Sequence, residues 1–192
     1  MSKRYGGKRE QILDAALRLV ARYNDFNITV RQIAAEAKVN VAAINYYFKS
    51  KKEMMAQMEK LFMDNLHDAF TPVCEKTLSP DERLKEWVKK SLGYARRYPG
   101  ILVFLKDKFS NPKDNEFENA MRRALSEKFT LLRELILDSV RPERQEEELL
   151  IMTLGAVMLL PLIADMPGMG LPKDLDEHIQ YVITIIEKFK SR

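Results

Sequence analysis

Cysteine is almost missing from this chain. Cys74 stands alone, so no internal disulfide framework can form, and the chain fits a reducing compartment. Histidine is nearly as scarce, with only His67 and His178. The one ligand-like spacing, Asp64, His67 and Asp68 at i, i+3 and i+4, lacks a second ligand set and is expected to be a solvated helix face, with no metal and no cofactor. There is no glycine-rich phosphate loop, no G-x-S-x-G elbow and no H-E-x-x-H pattern, so an enzyme would have neither nucleophile nor metal to work with. Apolar runs stay short. The longest, Leu149 to Ala164, is 16 residues and contains Gly155 and Pro161, whereas a bilayer span takes about 20. A buried or interface helix is expected there, and no membrane partner. The opening MSKRYGGKREQ has charges but no apolar run behind them, so no secretory signal is expected and a cytoplasmic location follows. Strand-like alternation is also lacking.

What the chain does have is apolar content of 46% over 192 residues, ample for a packed core, and a lopsided charge. Residues 1–52 hold 11 Lys/Arg against 4 Asp/Glu, while residues 53–192 hold 21 against 24. A basic N-terminal quarter on a mildly acidic remainder is the footprint of a domain that meets phosphates, because cationic side chains displace the counterions condensed on the polyanion. Membrane binding or simple solubility would also suit a basic segment, so the charge needs a motif beside it.

The motif is TVRQIAAEAKVNVAAINYYFKSK, Thr29 to Lys51. Ile33, Ala34, Ala37, Val39, Ile44 and Phe48 recur at the spacing needed to pack two short helices against a third. Thr29 and Asn40 are placed as N-caps of the two helices. The Thr29 hydroxyl is also near enough to the first turn to touch a phosphate, and Asn40 opens a helix start that favours anions. On the outer side of the second helix Val41, Ala42, Asn45, Tyr46 and Tyr47, then Lys49, Lys51 and Lys52, combine small, amide, aromatic and cationic groups suited to a DNA groove. Upstream, Ile12, Ala16, Leu19, Val20 and Tyr23 make the apolar face of a support helix, which Asn24 ends in a left-handed conformation. Residues 3–8 form a basic arm, either a DNA-contacting extension or a plain leader.

Residues 12–54 resemble the DNA-binding head of TetR-family transcriptional regulators. There, a helix of the ILxAAxxL kind precedes TxxxIAxxAGVSxxxxYxYFxxKxxL. Two positions depart from it. Lys38 occupies the turn where the family most often has glycine, which implies an altered or strained turn, and Asn45 stands where tyrosine is common. The resemblance implies that Thr29, Ala43, Tyr47 and Lys51 contact phosphates, and that Arg31, Val41, Ala42, Asn45 and Tyr46 face base edges. The chemistry is compatible: arginine forks onto guanine, asparagine onto adenine, and small apolar groups meet the thymine methyl. The structural alternative is that Arg31 and Asn45 are ordinary solvated residues and that Tyr46 merely packs.

Beyond Lys52 the pattern becomes a series of longer amphipathic helices: 52–70, with Met54, Met58, Leu61, Phe62 and Leu66 on one face; 81–98; a short piece at 101–105; 115–140, with Met121, Leu125, Phe129, Leu132 and Ile136 inward; 143–164; and 175–190. The expected protein is all-α, with a helix-turn-helix DNA-binding domain at 1–52 and an effector-binding and dimerisation domain at 53–192. The last two helices are unusually apolar and are placed as a homodimer face, in line with the four-helix dimer interface of the resembled family. The resemblance also implies a body cavity for a small-molecule effector. Trp87, Ser91, Tyr94, Phe104, Phe129 and Met158 are its candidate lining, and plain core is the alternative for each. Ten methionines favour an adaptable interior and a largely apolar ligand. The expected function is transcriptional regulation through a double-stranded, near-palindromic DNA operator, with repression relieved by the effector. A helical dimeric small-molecule-binding or protein-interaction module with a weak or vestigial DNA-binding head is the competing class. Salt-dependent, sequence-specific DNA binding separates the two.

Overall fold

Signals at the helix ends set most of the element boundaries. The computed structural model describes residues 7–98, 100–110, 114–140 and 174–190, together with Gly155. Among these residues there is no strand, and eight α-helices follow one another: α1 Lys8–Tyr23, α2 Val30–Glu36, α3 Val41–Tyr47, α4 Lys51–Ala69, α5 Pro80–Arg97, α6 Ile101–Ser110, α7 Glu116–Val140 and α8 Leu175–Lys190. A 3-10 turn, Pro72–Cys74, lies between α4 and α5. The all-α expectation holds. The piece expected at 101–105 runs on to Ser110, and the helix expected at 143–164 lies outside the described residues apart from Gly155. No described helix is long and apolar enough to cross a membrane.

Asn24 ends α1 with φ 50, as an asparagine can at small cost. Thr29 opens α2 with a full capping box: its hydroxyl accepts from Gln32 N–H at 3.2 Å, and Gln32 Oε1 accepts from Thr29 N–H at 2.8 Å. Ser79 and Glu82 repeat the device at the start of α5, with Ser79 N–H donating to Glu82 Oε2 at 2.9 Å. Between α2 and α3, Val39 N–H donates to Ala34 O at 2.9 Å and Lys38 N–H to Ala35 O at 3.1 Å, a Schellman closure with Lys38 at φ 54. That strain, expected from the sequence, is of the order of 1 kcal/mol for a residue with a Cβ.

The chain forms two compact units, Met1–Asp64 with Tyr98–Glu118, and Asn65–Arg97 with Asn119–Arg192. In the first, Ile12, Ala16, Leu19 and Val20 of α1 are buried with Ile33, Ala34 and Ala37, with Ile44 and Phe48, and with Met54, Met58, Leu61 and Phe62. Tyr23 departs from its expected place on that apolar face: it is 54% exposed, at the last residue of α1, beyond the buried stripe that ends at Val20. Phe104 of α6 is buried among the rings of Phe26, Phe62 and Phe117, with centroids 5.3 to 6.1 Å away. Beside it Lys108 Nζ lies 2.9 Å from Glu59 and 3.7 Å from the buried Glu118, and about equally far from the faces of Phe104 and Phe117. Removing one partner from so enclosed a charge cluster costs about 3–5 kcal/mol, far more than a surface ion pair contributes.

The second unit is built on α5 and α8. Leu84, Trp87, Val88 and Leu92 pack with Phe70, Val73, Leu132, Leu135, Ile136, Ile179, Val182, Ile183 and Ile186. Phe129 was expected to point inward. It is 55% exposed, touching Phe70 only edge-on, because the inward stripe of α7 runs through Met121, Leu132, Leu135 and Ile136. The ring lies off that stripe.

Two outcomes follow. A Cβ on Gly100 would lie 2.3 Å from the Leu17 carbonyl oxygen, a backbone atom that no rotamer can clear. Gly100→Ala should therefore destabilise the first unit by about 1–3 kcal/mol, read by thermal unfolding. Glu36 accepts from Arg22 at 3.0 Å and Arg18 at 3.2 Å, and these bonds, Arg22 first, hold its carboxyl below the usual glutamate range. A depressed carboxyl contributes stability that is complete above its unfolded pKa and is lost as the pH falls through the folded one. Glu36→Gln should flatten that part of the acid-unfolding curve by removing the contribution at neutral pH, a small one since the arginines are exposed, and leave stability at the acid end almost unchanged.

Candidate nucleic-acid interface

Helix α3 is only seven residues long and carries almost no stability of its own, so tertiary contacts must hold it. Ile44 and Phe48, each 2% exposed, supply them. The Arg9 guanidinium lies 5.6 Å over the Phe48 ring, and Gln11 Nε2 donates to Ala37 O at 2.8 Å, tying α1 to the end of α2. With that side anchored, Val41, Ala42, Asn45 and Tyr46 are left exposed on the other. Tyr46, 82% exposed, stacks edge-on to the half-buried Tyr47 at 5.1 Å. A large aromatic ring held in solvent by one neighbour makes little sense as packing and good sense as a contact group.

Cations surround this face. Arg31, Lys38, Lys49, Lys51 and Lys52 are all exposed, and among the described residues none of the five side chains makes an ion pair. Lys51 begins α4, whose first turn is held by Ser50 Oγ accepting from Glu53 N–H at 3.1 Å. By contrast, Arg18 and Arg22 are committed to Glu36.

The ten residues selected from the sequence thus lie together in the helix-turn-helix, but three already have work to do inside the protein. The Thr29 hydroxyl both accepts from Gln32 N–H and donates to Gln32 Oε1 at 2.8 Å, so its single proton is committed. Asn40 Oδ1 accepts from Ala43 N–H at 2.7 Å, which places Asn40 as the N-cap expected and takes up the Ala43 amide. Lys38 was noted only as a departure at the turn. Its exposed, unpaired ammonium is a feature that residue spacing does not disclose.

Of the six candidate lining residues, Trp87 and Phe129 share a neighbour, the Phe70 ring, with centroids 5.9 and 6.1 Å away. Trp87, Ser91 and Tyr94 follow one strip of α5 in the second unit. Phe104 belongs to the ring cluster of the first unit, Phe129 is exposed, and Met158 lies outside the described residues. Tyr94 O–H donates to Asp68 Oδ2 at 2.7 Å, and Lys90 lies 3.2 Å from the same oxygen. Burial pushes the Asp68 carboxyl up, but these two bonds outweigh it and leave it lowered. Asp64 pairs with Lys60 at 3.2 Å, so both carboxylates beside His67 are engaged by lysines. Sequence reasoning missed Arg83 and Asn65. Among the described residues Arg83 Nε, Asn65 Nδ2 and Trp87 Nε1 are buried donors without hydrogen-bond partners, at about 1–3 kcal/mol each. Arg83 lies one helical turn before Trp87, and its guanidinium also donates to Val73 O.

Residues 12–58 match the family described as bacterial regulatory proteins, tetR family. An uncharacterised HTH-type transcriptional regulator of Xanthobacter autotrophicus is 39% identical over 51 residues, 27% of this chain and 25% of that one. The chain thus spans about a quarter of the length of that relative. Over the whole length the likeness is one of fold. The ketosteroid transcriptional regulator KstR2 of Mycobacterium tuberculosis superposes with a TM-score of 0.73 at 17% identity, covering 97% of each chain. The regulator AibR, solved with isovaleryl coenzyme A and operator DNA, superposes with a TM-score of 0.62 at 13% identity, covering 93% of this chain and 97% of that one. The family match falls on the same residues as the helix-turn-helix, and over its length the chain keeps the fold of TetR-like regulators: residues 12–58 form a DNA-binding head of the tetR family type.

Proposed function

We propose that the protein is a sequence-specific, DNA-binding transcriptional regulator that acts as a repressor and is released from a near-palindromic operator by a small, largely apolar effector. The observation that carries this reading is the two-sidedness of α3. Ile44 and Phe48 fix it from behind, while Val41, Ala42, Asn45 and Tyr46 stand free in front, ringed by unpaired cations. Such a face offers base-edge chemistry at its centre and phosphate chemistry at its rim. Arg31 joins the base-reading group, and Tyr47 and Lys51 the phosphate group. Thr29 and Asn40 act chiefly by holding the two helix starts in place, and Ala43 offers its methyl in place of its occupied amide.

One such helix makes few contacts, so a homodimer with two of them about 34 Å apart would read successive turns of the major groove. The last two helices are its proposed interface. Of these α8 is described, and its Tyr181 is 46% exposed beside half-buried Ile185, apolar surface available to a second copy. In the body, the Trp87 Nε1, Arg83 Nε and Asn65 Nδ2 donors, buried without partners among the described residues, favour an effector that brings hydrogen-bond acceptors along with its apolar bulk. Release requires only that this ligand bind one head spacing better than another. The protein would act in the cytoplasm, where its operator is.

Selection of bound sequences from a random DNA pool tests the proposal. Enrichment of a near-palindrome supports a dimeric regulator, and failure to enrich any sequence with fold and dimer intact would sink it. On the selected operator, Lys51→Ala should weaken binding to all sequences alike and reduce the salt slope by about one per head. An unchanged slope removes Lys51 from the interface. Asn45→Ala should cost about 1–3 kcal/mol and relax preference at one position of each half-site. A uniform loss at every position would instead mean that Asn45 reads no base.

A further inference from the structure

The turn between α2 and α3 holds a residue that its backbone does not favour. The closure by Val39 N–H on Ala34 O and Lys38 N–H on Ala35 O puts position 38 at φ 54, where glycine is the residue of least strain. The other left-handed, non-glycine position among the described residues is Asn24, a residue type that tolerates it. Lysine has no such dispensation. Packing does not explain it either: Lys38 is exposed, and among the described residues its ammonium has no ion pair and no hydrogen bond. The nearest carboxylate along the chain, Glu36, is held by Arg18 and Arg22, so nothing local neutralises the charge.

Position in the motif supplies the reason. Lys38 lies two residues before Asn40, the cap of α3. Recognition helices meet base edges with their N-terminal residues, so the chain leading into such a helix crosses the wall of the groove, which is made of phosphates. A lysine there, on a stem of four methylenes, can reach a backbone oxygen as a point charge. We propose that Lys38 is a phosphate-contacting residue of the DNA interface, a charge kept where the backbone favours glycine, so that the head is less stable than it could be and its grip on DNA stronger. The inference rests on the DNA-binding reading above and adds to it a contact at the turn, a position usually filled by glycine.

The test uses the full-length protein and the operator selected from the random pool, with thermal unfolding measured beside it. Lys38→Gly should raise the melting temperature by about 2–4 °C and lower operator affinity about tenfold per dimer at moderate salt, with the salt slope reduced by about one per head and sequence preference unchanged. Lys38→Gln, which keeps the strained backbone and loses the charge, should show the same loss of affinity without the gain in stability, and Lys38→Arg should restore binding. Wild-type affinity and salt slope in both Lys38→Gly and Lys38→Gln would overturn the proposal while leaving the regulator reading in place. Absence of salt-dependent DNA binding by the wild-type protein would overturn both. Loss of selectivity at one base position, in place of a uniform loss, would also overturn the phosphate assignment.

Discussion

Burial of Ile44 and Phe48 is the constraint on which the DNA-facing surface depends. A helix of two turns has too few internal hydrogen bonds to persist alone, so its existence and its orientation come from the same two side chains. Once they are seated, the 3.6-residue period decides which residues face outward. Asn45 and Tyr46 are presented because Ile44 and Phe48 are not, and no separate device aims them. The caps on either side refine this arrangement. Asn40 satisfies the Ala43 amide and Thr29 satisfies that of Gln32, so both helix starts are organised before any ligand arrives. A recognition surface assembled in advance loses less conformational entropy on binding than one that must be ordered at that moment.

Where chemistry is local, the sequence was readable. Asn24, Thr29 and Asn40 each combine a residue type with one conformation or one hydrogen bond a few positions away, and all three do what their type predicts. Helix faces were readable wherever apolar residues filled a complete stripe, as along α5 and α8. The misreadings come from the margins of stripes. Tyr23 and Phe129 have the right period, but which edge of a helix finds a neighbour depends on partners far away in the chain. Phe104 illustrates a second limit. Its apolar character is plain, but the company of Phe26, Phe62 and Phe117 depends on how α6 returns to the N-terminal helices, and residue spacing does not encode that. The enclosure of Lys108 by Glu59 and Glu118 was invisible for the same reason.

Both units enclose polar groups among their apolar side chains. In the first, buried charge is met by opposite charge and by ring faces, as Lys108 shows. In the second, three donors remain buried without acceptors among the described residues. A native interior leaves few such groups unpaired, so each of the three marks a place where a hydrogen-bond acceptor would be favourable.

Gly100 touches α1 through main-chain atoms on both sides, with the Leu17 carbonyl beneath it. Side-chain contacts have slack, because a rotamer can change while the backbones move apart or slide. Contacts between backbones have none. A side chain added at position 100 would therefore have to push the start of α6 and α1 apart. Because α1 is also the helix against which the helix-turn-helix packs, this joint ties the seat of α6 to the support of the helix-turn-helix.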